Sequence, residues 1–244
     1  MTRTTLITGA DRGLGFALCV GLLERGWTVY AGQYMPEWPE LGALKRENSS
    51  SLYLISLDVS STESVNVAAT TVAKLTDHID MLINNAGVYS ETTSRTIREP
   101  LDDGEYIRLY NVNAVGPLRV VHAFLPLTDR GSVKRQCIVS SEAGSISRSY
   151  RKSTFNYCMS KSALNMGVSI LFNHLRPEGY SFRLYHPGWI RSYMSGEKNL
   201  EADLEPEEAA AKALPFFLNP PHTVWKFFPE IVLFSPFLDS ETSV

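Results

Sequence analysis

The chain has 244 residues, 44% of them hydrophobic and 20% charged, with a net charge of −3. That length suits one α/β domain whose core needs no disulfides. The mild acidity, spread without a basic block, gives no electrostatic case for nucleic acid or an anionic membrane as partner. Three widely spaced cysteines (Cys19, Cys137, Cys158) with no Cys-x-x-Cys pair argue against a disulfide framework and a zinc site, and they read as small buried hydrophobes. The histidines show no metal spacing, so no metal is expected.

Apolar, β-rich runs alternate with helix-like segments, the pattern of a parallel sheet with helices on its faces. Met1 leads at once into a strand over Thr4–Thr8, with no signal-peptide pattern, so the expected location is the cytoplasm. No run of about 18 apolar residues is present to cross a membrane. Gly13 to about Arg25 reads as a helix with Leu14, Ala17, Leu18 and Leu22 on one face, ended by Gly26. Thr28–Gly32 is a second strand, followed by a Pro-bearing variable segment from Tyr34 to Ser51. Leu52–Leu57 is a third strand, Thr62–Leu75 a helix and Asp80–Asn84 a fourth strand. Glu105 to about Leu127 reads as one long helix disturbed at Gly116-Pro117, where proline removes a backbone donor.

Arg135–Val139 is a fifth strand, Ser140–Asn156 a polar loop, Tyr157–Arg176 a helix and Ser181–His186 a sixth strand. Glu205–Leu218 is expected to be helical, with Pro206 in its first turn. The Pro- and Phe-rich tail from Asn219 shows no clear period. The pattern describes one domain over residues 1–244: a doubly wound, mostly parallel sheet of about seven strands flanked by helices, a Rossmann fold.

Thr8-Gly9-Ala10-Asp11-Arg12-Gly13-Leu14-Gly15 joins the first strand to the first helix. A helix N-terminus offers unpaired N–H groups and a partial positive charge, which suit a pyrophosphate. A side chain at Gly13 would hold the phosphates away, and one at Gly15 would push the helix off the strand. Tyr157-Cys158-Met159-Ser160-Lys161 places a phenol and an ammonium one helical turn apart, and a fixed cation favours the phenolate.

These segments resemble the short-chain dehydrogenases/reductases, in order, over about four fifths of the chain. The resemblance implies coenzyme contacts at Gly9, Asp11, Arg12, Gly13, Leu14 and Gly15, at Asp58 and Val59 near the adenine, and at Asn85, Ala86 and Gly87 in an Asn-Asn-Ala-Gly run. On residue type alone, Asp58 reads first as the N-terminal cap of the next helix. Pro187, Gly188, Ile190 and Ser192 match the segment that holds the nicotinamide carboxamide, and Tyr157 and Lys161 also meet the coenzyme. The implied catalytic set is Asn113, Ser141, Tyr157 and Lys161: Tyr157 gives the proton, Lys161 lowers its pKa and holds the ribose, Ser141 steadies the oxygen, and Asn113 holds a relay water.

The second strand ends Tyr30-Ala31-Gly32-Gln33 without the carboxylate that would grip a ribose 2′-hydroxyl, and Arg12 stands in the glycine turn. NADP(H) is therefore the expected coenzyme, with NAD(H) second. The Ser141 and Tyr157 segments are most similar to the C-factor and sniffer-type carbonyl reductases. Sixteen positions separate Ser141 from Tyr157, about three more than that family's habit, so the extra length would bulge at the substrate mouth. Tyr89, Glu142, Tyr150, Trp189 and Met194 are candidate pocket residues for an apolar or aromatic aldehyde or ketone. The expected partner is that small carbonyl or alcohol substrate, with the chain a monomer or a homo-oligomer (dimer or tetramer). The alternatives are a non-catalytic NAD(P)-binding sensor or signalling protein of the same fold, and a structural oligomerisation module.

Overall fold

The computed structural model describes residues 2–194 and 196–219. Its six strands are β1 (Thr4–Ile7), β2 (Thr28–Gln33), β3 (Leu52–Ser56), β4 (Met81–Asn84), β5 (Arg135–Val139) and β6 (Ser181–Tyr185). They form one sheet in the order β3-β2-β1-β4-β5-β6. Every pairing is parallel, with Leu6 beside Tyr30 and Leu82, and Ile138 beside Leu184. Parallel neighbours need crossovers, and helices supply them, which explains the apolar runs of the sequence. Among the described residues six strands stand where about seven were expected, and the tail beyond Asn219 lies outside those residues.

The helices are α1 (Gly13–Leu23), α2 (Pro39–Glu47), α3 (Thr62–Ala73), α4 (Asp103–Tyr110), α5 (Gly116–Thr128), α6 (Phe155–Leu175) and α7 (Pro206–Leu218). One face of the sheet carries α1 and α7, where Leu14, Leu18 and Leu22 pack with Ile7, Val29, Ile83, Ala213, Leu214 and Phe217. The opposite face carries α3 and α5 through Val65, Val72, Val120 and Phe124, with α6 beside them through Leu164 and Val168. Each such fully buried side chain contributes about 2 kcal/mol of transfer free energy. α1 and α7 approach closely because Gly21 has no side chain; a Cβ there would fall 2.4 Å from Leu214 Cδ1.

Two elements depart from the sequence reading. The variable segment after β2 contains α2, started by Pro39 and anchored by buried Leu41, with half-buried Leu44 beside it. The long helix expected from Glu105 divides into α4 and α5 at a π-helical turn, Asn111–Val115, just before Gly116-Pro117. Proline's missing donor sits in the first turn of α5, where no intrahelical partner is needed. Cys19, Cys137 and Cys158 are free thiols, and burial pushes Cys137 up to about 12. No described helix is long and apolar enough to cross a membrane.

Candidate active site

The strand order reverses between β1 and β4, and the carboxyl ends of β1, β4, β5 and β6 all lead into segments singled out above. Gly13 opens α1 with φ +59, and a Cβ built there would meet nothing nearer than Ser192 Cβ at 3.9 Å. Gly15 is the reverse case: its Cβ would lie 2.1 Å from the Gly9 carbonyl oxygen and 2.6 Å from Asn85 Nδ2. Asn85 Nδ2 donates to the Thr8 and Gly9 carbonyls at 3.0 Å each, and the N–H groups of Asn85 and Ala86 donate to Thr8 Oγ1 at 3.0 Å. The β4 end is thereby fastened to the glycine turn.

The start of α1 has no side-chain cap and no acidic residue in its first turn, with Leu14 buried against the sheet. By contrast, Ser61 caps α3 and Asp102 caps α4. Bare N–H groups at a helix dipole's positive end, with an open glycine before them, fit a pyrophosphate. On this observation the turn suits a dinucleotide.

In the glycine turn, Arg12 donates from Nη2 to the Tyr193 carbonyl at 3.0 Å, and its guanidinium lies 4.6 Å from the Trp38 ring centre and 5.2 Å from that of Tyr193. Asp11, 4% exposed, accepts from the N–H groups of Tyr34 and Met35. Asp58 does not cap the next helix; its Oδ1 accepts from Ser60 N and Oγ at 2.8 and 2.7 Å, and Ser61 takes the cap. Val59 is buried under Gly116, whose absent side chain would meet it at 3.1 Å.

The chain enters α6 through Thr154 at φ +63, a left-handed conformation that costs a non-glycine residue about 1 kcal/mol. Tyr157 and Lys161 follow on one face, with Lys161 Nζ 5.8 Å from the Tyr157 ring centre. Lys161, 3% exposed, donates to the Val139 carbonyl at 3.2 Å, the last residue of β5. Ser141 Oγ accepts from Ala143 N–H at 3.2 Å, and its hydroxyl acts on the Tyr157 phenol to lower its pKa. Asn113 is fully buried in the π turn, where Oδ1 accepts from Val88 N at 2.8 Å and Nδ2 donates to Val88 O and Ser160 Oγ. A Cβ on Gly87 would lie 3.4 Å from Asn113 Oδ1 and 3.7 Å from Lys161 Nζ, so the two meet beside that glycine. A π turn at such a point is a common functional device. Ser140 is turned elsewhere: its hydroxyl donates to Asn165 Oδ1 at 2.6 Å.

Geometry and electrostatics differ on one expectation. Lys161 Nζ lies 5.8 Å from the centre of the Tyr157 ring, but burial dominates both groups. It pushes the Tyr157 phenol up to about 12 against an opposing bond from Ser141, and it pulls the Lys161 amine down to about 8. Desolvation disfavours the charged form of each group. The lowered phenol expected from the Tyr-x-x-x-Lys spacing is therefore not a property of the protein alone.

At the mouth, Tyr89 meets Tyr157 edge-on with ring centres 5.2 Å apart. Glu142 is ion-paired with Arg151, which the long Ser141–Tyr157 loop delivers. Tyr150 is 81% exposed on that loop, while Trp189 and Met194 are exposed on the next one. That second loop follows Pro187 and Gly188 (φ +83) and is pinned at its base. Ile190 bridges Leu204, Arg191 N–H donates to Leu204 O at 2.9 Å, Leu204 N–H donates to Trp189 O at 3.1 Å, and Arg191 pairs with Glu205. Ser192 and Met194 lie over Gly13 and Gly87. Sequence reasoning missed Ser160, Trp38, Tyr193 and Arg151. Of these, only the Arg151 position carried a signal, the unusual loop length.

Residues 3–203 match the short chain dehydrogenase family. An oxidoreductase of Schizosaccharomyces pombe is 33% identical over 203 residues, 82% of this chain and 79% of its own. The C-signal protein of Myxococcus xanthus is 40% identical over 121 residues, 50% of this chain and 71% of that one. Among solved structures, an NADPH-bound carbonyl reductase from chicken fatty liver superposes with a TM-score of 0.78 at 27% identity, covering 90% of this chain and 92% of that one.

Proposed function

The chain belongs to the short-chain dehydrogenase family and is an oxidoreductase, and from that premise we propose that it reduces a carbonyl with NADP(H), Tyr157 giving the proton. The observation that carries this reading is the meeting of Tyr157, Lys161, Ser141 and Asn113 at the carboxyl ends of β4 and β5, beside the bare start of α1.

A bound nicotinamide supplies or takes the hydride. Gly9, Gly13 and the first amides of α1, with Leu14 and Gly15 behind them, would hold the pyrophosphate. Asp58 and Val59 would serve the adenine, Asn85 to Gly87 would back the coenzyme, and Pro187, Gly188, Ile190 and Ser192 would hold its carboxamide. Tyr157 donates its hydroxyl proton to the forming alkoxide, and Ser141 steadies that oxygen by hydrogen bonding. With the phenol near 12 and the amine near 8, both are protonated at neutral pH. In that state the Tyr157 hydroxyl carries the proton that a forming alkoxide takes. Asn113 holds Val88 and Ser160 in place beside Lys161, and a water there completes its link to solvent. Tyr89, Trp189 and Met194 favour an apolar or aromatic aldehyde or ketone.

In the test, Tyr157→Phe lowers carbonyl-dependent NADPH consumption at least about a thousandfold and leaves NADPH affinity nearly unchanged. Retained turnover overturns the assignment. A signalling protein is the second reading, favoured by the likeness to C-signal; NADPH binding without turnover across a carbonyl panel would select it. Exposed Ile107 on α4 with Met166 and Ile170 on α6 supports self-association, which sedimentation checks.

A further inference from the structure

β2 ends at Gln33, and the next two backbone amides both turn toward Asp11. Tyr34 N–H reaches Oδ1 and Oδ2 at 3.1 Å each, and Met35 N–H reaches Oδ1 at 2.9 Å. With 4% of its surface exposed, this carboxylate is anchored at the carboxyl end of the second strand. In doubly wound folds that place decides between coenzymes, because a carboxylate there engages the ribose hydroxyls and repels a 2′-phosphate. β2 brings no carboxylate of its own.

We infer that Asp11 supplies, from the glycine turn, the negative charge that β2 lacks, and that it opposes a 2′-phosphate which its neighbour Arg12 attracts. The outcome is a modest preference for NADPH with real use of NADH. The inference rests on the coenzyme reading above and turns its preference into a balance between two adjacent residues. Two further observations support it. The Tyr34 and Met35 amides, the backbone donors nearest the end of β2, are already engaged by Asp11. Arg12 is itself held by Trp38 and Tyr193, contacts it must share or leave to meet a phosphate.

The test is equilibrium titration of NADPH and NADH, followed by coenzyme fluorescence, on the unaltered chain, Asp11→Asn and Arg12→Gln. The unaltered chain should bind both coenzymes within about tenfold of each other. Asp11→Asn, which keeps an oxygen for the amides, should tighten NADPH about tenfold and leave NADH little changed. Arg12→Gln leaves Asp11 unopposed, so it should favour NADH by about tenfold. An Arg12→Gln protein that binds the two coenzymes equally overturns the inference, even if Asp11→Asn fails to fold. A folded Asp11→Asn protein with an unchanged NADPH-to-NADH ratio overturns it as well. If the unaltered chain binds neither coenzyme, the coenzyme reading falls first and the inference with it.

Discussion

Two buried charges lie at opposite ends of the strands, and the fold treats them differently. Asp80, 1% exposed, precedes β4 at the amino edge. Its oxygens accept from Thr4 N–H at 3.0 Å and from Ser132 N–H and Oγ at 2.8 Å each. Burial raises its pKa, yet those bonds prevail and hold the carboxyl below its ordinary value. Lys161, at the carboxyl edge, has one hydrogen bond among the described residues, to Val139, and burial pulls it toward neutrality. Asp80 is saturated with donors, whereas the amine beside Tyr157 is left short of partners, at a cost in stability.

The widest separation between the two comes from Lys161→Met, which should lower turnover about a thousandfold while leaving the fold intact. A steady-state assay beside a melting curve reads both effects. Asp80→Ala has the opposite signature. It strands the Thr4 and Ser132 donors and should remove about 3 kcal/mol of stability at pH 7. Because its folded pKa is depressed, the Asp80 contribution is present above the ordinary 3.8 and is lost as pH falls through the folded value. Acid denaturation of Asp80→Ala should therefore be shallower than that of the unaltered chain.

Smaller again is the stability change from Lys161→Met, a gain of about 2 kcal/mol at pH 7 without coenzyme. The folded amine near 8 lies below its ordinary 10.5, so the unfolded chain binds that proton more readily over this window. The unaltered protein gains stability as pH rises from 8 to 10.5, and the variant's advantage shrinks over the same range. Thermal melts at pH 7 and 10 decide it; no gain at pH 7 breaks the comparison. The least effect is Ser61→Ala at the capped start of α3, about 1 kcal/mol by denaturant titration with coenzyme affinity unmoved.

Much of this layout was readable beforehand. All six strand positions follow from β-rich runs, since parallel strands covered by helices carry mostly apolar side chains. Ser141, Tyr157, Lys161 and Asn113 were placed together by motif and order. What escaped has physical reasons. α2 fully buries only Leu41, so it offers no apolar stripe to detect. The π turn is a shift of backbone hydrogen bonds, without a composition of its own. Arg12 meets a carbonyl 181 positions away, which no local pattern reports. The Tyr157–Lys161 spacing conveys proximity but not depth, and depth decides the sign of the phenol's shift.

The pins between Ile190 and Leu204 bear on how such a molecule diversifies. Because the base of that loop is clipped by backbone bonds and by the Arg191–Glu205 pair, its tip can be exchanged as a cassette without disturbing any strand. If the proposed carbonyl reduction holds, grafting a foreign tip should redirect the choice of substrate while the glycine turn and the Tyr157–Lys161 helix are inherited unaltered. Among the described residues Tyr193 ties the loop to Arg12 through its carbonyl and ring, so a transplant that keeps this tyrosine keeps that tie.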